Sequence, residues 1–486
     1  MCGNRKTGFL PDIRHALVQL GIVALMLWGA VVQAQAQALP PELQPAWQGT
    51  GLPSSALSLY VQEVGGGPLM ALNASEPRNP ASVMKVVTTW AGLLALGPEH
   101  RWRTTALAEH GLRIDEQGTL AGPLYIRAGG DPVFSAQDLW TLLRELRLRG
   151  IKNLSEVVVD RSLFGQVTID PGAFDGAADR PYNASPDAMM VGLGAVRLLF
   201  YPDEHGKKWV PVIDPPVRGL RVSGDVAWRD GRCPGAPRVG TQLVNTETET
   251  IIQINGEAVG SCGAFSTYRL ALSQPQFFNG VFRMLWRELG GTLARDIRAG
   301  TVPASAREIA WHSSDTLADV IRLINKQSNN VMARMLLLHV GVSMNGSGAT
   351  PASAARAALA LLQESGVDTR GWVIENGSGL SRVERLTAVG LAGMLDQAWR
   401  SPLAAEFMSS LAISGVDGTV RRRMRNGDAR GMAHLKTGTL RDARALAGYV
   451  LGASGKRYIL VSMVNHANAV AARSFEDALV NWLAAR

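Results

Sequence analysis

Apolar and polar positions alternate through ALSLYVQEV at 56–64, and this period of two predicts a strand. The GGGP turn at 65–68 and the LMALNA stretch after it predict its hairpin partner. The period then changes. Pro80 heads a run in which Val83, Val86, Val87, Trp90, Leu93 and Leu94 recur at helical spacing, and Gly97 with Pro98 ends it. So little of this run is polar that the helix is expected to be buried, with Ser82 in its first turn.

The middle of the chain, roughly 104–303, has a different texture. GPLYIRAG, AQDLWTLLRELRLRG and SEVVVDR predict strand, helix and strand. After about 195 the pattern becomes β-like, with VRLLFYP, WVPVID, LRVSGDVAW, TIIQING and TYRLALS separated by Gly, Pro, Asp and Asn. Helical spacing returns in TLADVIRLINKQSNNVMARMLLLHVG, ASAARAALALLQESG and TAVGLAGMLDQAWR. Two strands, ALAGYVLGA and KRYILVSMVN, and a closing helix, AARSFEDALVNWLAAR, follow. Strands at both ends with helices between them predict one α/β domain, a β-sheet flanked by helices, built from 39–103 and 304–486. A two-part insertion interrupts it: 104–195 and 267–303 form one unit, and a mostly-β unit, 196–266, is nested inside.

The N-terminus alters the picture. Arg5, Lys6 and Arg14 precede an apolar run from Leu17 to Val32, and alanines follow at 34, 36 and 38. A basic start, an apolar centre and an A-x-A ending predict a secretory signal, 1–38, cleaved after Ala36 or Ala38. The alternative is an uncleaved membrane anchor, but the run is short for a span. With cleavage no transmembrane anchor remains, and the net charge falls from +8 to +6. Apolar content of 46% permits a large core. The basic excess comes with no zinc-finger or other nucleic-acid signature, so no nucleic-acid partner is expected. Cys2 leaves with the signal. In an oxidising compartment Cys233 and Cys262 are candidates for a disulfide, the alternative being two separate thiols. The eight histidines are scattered and no H-E-x-x-H occurs, so neither metal nor cofactor is expected.

Ser82 and Lys85 stand three apart, on one face of a helix. A protonated lysine is no base, but burial or a second cation lowers its pKa into a useful range. The positive helix end would also favour an oxyanion near the serine N–H. S-x-x-K alone is a weak signal, and a first-turn serine beside a snorkelling lysine is the ordinary reading. It has companions here. S-x-x-K, S-D-N and K-T-G form the nucleophile set of penicillin-binding proteins and class A β-lactamases. This chain has Ser328-Asn329-Asn330 inside a helical pattern and Lys436-Thr437-Gly438-Thr439 just before a strand pattern, in that order. The chain has only eight lysines, and two occupy the positions that need one. Ser82 is then the nucleophile and Lys85 its base. Ser328 relays a proton, Asn330 holds a substrate peptide group, and Lys436 binds a substrate carboxylate while depressing the Lys85 pKa. Gly438 admits a substrate strand, Thr437 and Thr439 add hydroxyls, and the N–H groups of Ser82 and Thr439 form an oxyanion hole.

With these motifs the chain resembles the D-alanyl-D-alanine carboxypeptidase/endopeptidases of peptidase family S13, the class C low-molecular-weight (penicillin-binding protein 4-like) penicillin-binding proteins. Ser82 and Ser328 are 246 residues apart, so the long insertion lies between the first two motifs, as in that family. LYIRAGGDP (124–132), VVVDRSLF (157–164), RPYNASPDAMM (180–190), ENGSGLSR (375–382) and GVDGTVRRR (415–423) are similar to it too. Asn376, where the family often has Asp, and VGLGAV (191–196) depart from the pattern.

The resemblance implies a penicillin-binding, β-lactamase-like serine hydrolase domain carrying two inserted domains. It implies a periplasmic enzyme that cleaves D-Ala-D-Ala in peptidoglycan stem peptides and hydrolyses crosslinks. β-Lactams would acylate Ser82 as inhibitors, and no cofactor is implied. A β-lactamase, or a non-catalytic cell-wall-binding protein of the same fold, are the alternatives. Four further features read structurally: RRRMR (421–425) as a solvated face with local ion pairs, AGGDP (128–132) as a turn, His434 as packing, and the last helix as a cover for the sheet.

Overall fold

The computed structural model describes residues 39–109 and 111–486, so the expected signal segment lies outside the described residues. The alternating strand Leu57–Glu63 pairs antiparallel with Pro68–Leu72 on one side and with Arg457–Asn465 on the other. The two ends of the chain thus meet inside one antiparallel sheet of six strands. Ala443–Leu451, Ala433–Thr439 and the short Ala412–Ile413 complete it.

Helices cover both faces. On one lies the apolar helix Met84–Leu96, which ends at Gly97 and packs on Asn330–Asn345 and Leu317–Gln327. Trp90 is buried in edge contact with Phe407. On the other face the closing helix Arg473–Ala484 buries Phe475, Leu479 and Leu483. Trp47, from the short helix Gln44–Gln48, meets Phe475 edge-on at 5.1 Å. This apolar stripe therefore covers the sheet, and among the described residues no helix is long and apolar enough to cross a membrane.

The insertion has a five-stranded sheet in the order Ile297–Ala299, Val157–Asp160, Leu124–Arg127, Arg103–Glu109, Ala306–Ser313. The last strand differs from expectation. It falls after 304, in the half assigned to the outer domain, yet it pairs along Arg103–Glu109 from Ala306↔Glu109 to Ser313↔Arg103. The chain enters and leaves the insertion as one antiparallel ladder, so both strands share a sheet. Two small sheets form in this nested region, one of which takes the strand Phe265–Arg269 and so reaches three residues past 266, and Cys233 and Cys262 are disulfide-bonded there.

Among the elements not foreseen are the strands Arg103–Glu109, Arg238–Asn245 and Ala306–Ser313 and the helices Ala404–Ser410 and Gln274–Glu288. The helix Gln274–Glu288 carries a legible capping box, Ser273 with Gln276, and a stripe of Phe277, Phe278, Val281, Phe282 and Leu285. Gly280 interrupts it because Val217 packs there: an added Cβ would lie 2.1 Å from that side chain.

Phe475 is fully buried and holds the last helix on the sheet. Phe475→Ala is expected to cost about 3–5 kcal/mol of stability, measured by urea unfolding of the mature protein.

Candidate active site

The segment before the first helix is tightly held. Asn79 and Asn465 exchange hydrogen bonds at 2.8 and 3.0 Å, and the Asn79 side chain accepts from the Ala81 N–H at 2.9 Å. Ala81 has φ +44°, a left-handed conformation that an alanine adopts only under constraint. A single 3₁₀ turn, Ala81–Val83, then leads into the helix and presents Ser82 to the surface.

Two glycines let other backbones close on this turn. A Cβ at Gly379 would stand 1.9 Å from the Ala81 carbonyl oxygen. One at Gly438 would stand 2.5 Å from the Pro80 oxygen and 3.0 Å from the Ser82 nitrogen. Gly438 therefore makes room for the serine turn, and that is a different use from the substrate strand expected of it. K-T-G also lies within the strand Ala433–Thr439 and not ahead of it. Alternation along that strand buries Lys436 and Gly438 and turns Thr437 and Thr439 outward.

The middle motif differs from expectation in a similar way. Ser328 does not continue a helix. It ends Leu317–Gln327 with φ +59°, and Asn329 caps the next helix by accepting from the Met332 N–H at 3.1 Å. This break lets two helices present Ser328 and Asn330 to one place.

The five polar groups form two linked sets. Lys85, fully buried, donates from Nζ to Ser82 Oγ at 3.0 Å, to Asn330 Oδ1 at 2.7 Å and to the Ser378 carbonyl. Lys436, also fully buried, donates to Ser328 Oγ at 2.9 Å and to the Thr437 carbonyl at 2.7 Å. Burial lowers the Lys85 pKa well below its ordinary value, and the Lys436 charge lowers it further. Burial also brings the Lys436 pKa down to about 7.

Several residues around the site were given no role from the sequence. Glu384 is fully buried, and its carboxylate accepts from the N–H groups of Glu375, Asn376, Gly377 and Gly379 at 2.8–3.2 Å. It thereby fixes the loop whose Ser378 carbonyl receives Lys85. Burial raises its pKa, and these backbone donors oppose the rise. Asn376 accepts from the Ser378 N–H at 2.9 Å and its hydroxyl at 2.6 Å. Arg334 donates to the carbonyls of Tyr182 and Ala184 at 3.4 and 3.1 Å, tying the insertion to the site helix.

A cleft of about 340 Å³ opens over Ser82 and Ser328. Thr437, Thr439 and Thr419 line it, with Thr437 donating to Thr419 at 2.8 Å. Arg423, Arg444 and Arg473 complete its wall. Arg423 comes from RRRMR and is buried, unlike its exposed neighbours Arg421 and Arg422. His434 is outside this lining, half-buried opposite Ile413.

A serine paired with a buried lysine beside the K-T-G strand of this sheet defines the class, a penicillin-binding serine hydrolase. A model of the D-Ala-D-Ala carboxypeptidase 3 (S13) family matches residues 42–486, and the chain belongs to that family. It is 28% identical to a D-alanyl-D-alanine carboxypeptidase of Actinomadura sp. (strain R39), over 99% of this chain and 92% of that one. It is 24% identical to the carboxypeptidase DacB of Haemophilus influenzae, over 79% and 80%. The fold is that of penicillin binding protein 4 from H. influenzae: TM-score 0.73, 22% identity, 91% of this chain and 99% of that one. A β-lactam complex of that protein gives 0.71 at 22% identity, again over 91% and 99%.

Gly438→Ala tests the clamp on the serine turn. The fold is expected to persist while acylation slows by about 100-fold, as when a reacting group moves by an ångström. Stopped-flow acylation with a chromogenic β-lactam, beside a circular dichroism spectrum, measures both.

Proposed function

We propose that Ser82 is the nucleophile of a D-Ala-D-Ala carboxypeptidase that works on peptidoglycan stem peptides in the periplasm and also cleaves D-Ala crosslinks as a D,D-endopeptidase. The observation that carries this reading is the contact of 3.0 Å between Ser82 Oγ and a fully buried Lys85 amine. The basic-apolar-A-x-A start of the chain supports export by a cleaved signal, and the disulfide fits an oxidising compartment. The β-lactam bound by the H. influenzae relative supports penicillin sensitivity.

The chemistry follows from the two lysines. Neutral Lys85 takes the proton of Ser82 Oγ as that oxygen attacks the carbonyl of the penultimate D-Ala. The N–H groups of Ser82 and Thr439 receive the oxyanion. The C–N bond then breaks, and the proton that Lys85 took from Ser82 passes through Ser328, hydrogen-bonded to Lys436, to the departing amine, which leaves Lys85 neutral. Water, deprotonated by Lys85, hydrolyses the ester and frees Ser82. Asn330 fixes the Lys85 amine through Oδ1 and offers its amide to the substrate. Thr437, Thr439 and Lys436 bind the terminal carboxylate, whose approach restores the Lys436 charge.

Ser82→Ala is expected to reduce turnover on the order of 10⁶-fold. Intact-mass spectrometry with benzylpenicillin tests the assignment: one adduct on wild type and none on the variant supports it. No adduct with the drug intact favours a non-catalytic protein, and no adduct with rapid drug hydrolysis favours a β-lactamase.

The pH profile is a second test. Activity is lost as pH falls through the depressed Lys85 pKa, because the base becomes protonated. It is lost again above about 7, as Lys436 discharges. A bell-shaped kcat/KM is expected, and Lys436→Arg should remove the alkaline limb because arginine stays charged.

A further inference from the structure

The two small sheets of the nested unit pack on each other through Trp209, whose ring lies 5.5 Å from that of Trp228 and whose Nε1 donates to the Ala258 carbonyl at 3.2 Å. Their outer faces differ. The sheet built on Arg238–Asn245 and Thr250–Val259 turns polar side chains outward, as a half-buried sheet does: Arg238, Gln242, Gln253, Asn255 and Glu257 are exposed.

The other sheet, in the order Phe265–Arg269, Val196–Asp203, Lys208–Asp214, departs from that rule. Alternation buries Leu198, Phe200 and Trp209 and turns Tyr201, Val210, Val212 and Tyr268 outward. These four side chains are 40–49% exposed. Tyr201 stands directly opposite Val210, and half-buried Leu199 opposite Val212, so the apolar positions are neighbours across the strands. In the next row Arg197 stands between Tyr268 and Asp214.

A contiguous exposed apolar face marks a place of contact. Its charges indicate the kind of partner. The chain has a net charge of +8, yet the ions on this face pair off: Arg197 lies 4.0 Å from Asp214, and Lys208 3.6 Å from Asp203. A face without surplus charge has no field to draw an anionic lipid or a polyanion. Tyrosine rings joined to a rim of hydroxyl, carboxylate and guanidinium groups suit a neutral sugar chain. The C–H face of a pyranose packs on an aromatic ring, and its hydroxyl and acetamido groups bond to the rim.

We propose that this face of the nested unit binds the glycan backbone of peptidoglycan, with Tyr201 and Tyr268 as stacking platforms. The choice of polymer rests on the peptidase reading above. Stem peptides hang from a β-1,4-linked amino-sugar chain, and that chain is neutral wherever its lactyl groups are amide-linked to stems. Holding the chain at a second site raises the concentration of stems around Ser82 without any new contact in the cleft.

Calorimetric titration with a β-1,4-linked hexamer of N-acetylglucosamine tests the site directly. The double variant Tyr201→Ser, Tyr268→Ser removes both rings from exposed positions, and a thermal melt checks its fold. Wild type is expected to bind the hexamer, and the variant to bind it at least about tenfold more weakly. D-Ala release from purified sacculi should slow by a similar factor, while kcat/KM on a soluble pentapeptide stays unchanged. Hexamer binding that is absent from wild type, or equal in the two proteins, overturns the inference. So does a face occupied otherwise, shown by sedimentation as a dimer or by flotation with phosphatidylglycerol vesicles that the variant loses while hexamer binding is unaltered. A wild type that neither cleaves the soluble peptide nor is acylated by benzylpenicillin overturns the peptidase reading, and the hexamer titration still decides this one.

Discussion

Two lysine amines are held out of water within one small site, and most of the surrounding architecture serves that condition. Removing an ammonium from solvent costs several kcal/mol unless its protons find acceptors. Lys85 finds Ser82, Asn330 and the Ser378 carbonyl, and Lys436 finds Ser328 and the Thr437 carbonyl. Those acceptors come from four separate stretches of chain. The same burial that makes the arrangement costly lowers the Lys85 pKa well below its ordinary value.

Each acceptor is in turn positioned by backbone geometry. Glu384 gathers four N–H groups and so aims the Ser378 carbonyl. The left-handed Ser328 separates two helices that would otherwise run on as one. Gly379 and Gly438 remove the side chains that would hold the loop and the strand away from the serine turn. The site is therefore rigid before any substrate arrives, which is the condition under which electrostatic stabilisation acts without reorganisation.

The split chain has a functional consequence. The insertion does not hang from the catalytic domain by a loop. Its entering and leaving strands pair with each other, and its Tyr182 and Ala184 carbonyls accept from Arg334, one turn along the helix from Asn330. One wall of the site is thereby held from the insertion. The opposite wall takes its arginines from the strand beside K-T-G, the loop before it and the final helix, with Glu476 binding two of them together.

Much of this was legible in the sequence. Three short motifs in order, with lysines scarce elsewhere, were enough to name Ser82, Lys85, Ser328, Asn330 and Lys436, because the chemistry admits few residue types at those places. Period-two and helical spacing marked the hairpin at 57–72, the buried helix at 84–96 and the α/β split, because local patterning reflects which face is covered. Other features depended on residues far apart in the chain. Ala306–Ser313 joined the insertion sheet because its partner lies some 200 residues earlier. In the helix at 274–288, Gly280 is explained by a contact with Val217. Glu384 belongs to no motif. Its role comes from what faces it, and the extent of the Lys436 pKa shift follows from complete burial. Sequence determined which side chains could meet in one site. Only the tertiary structure decided their charge and their company, since burial and long-range contact are properties of the packed chain.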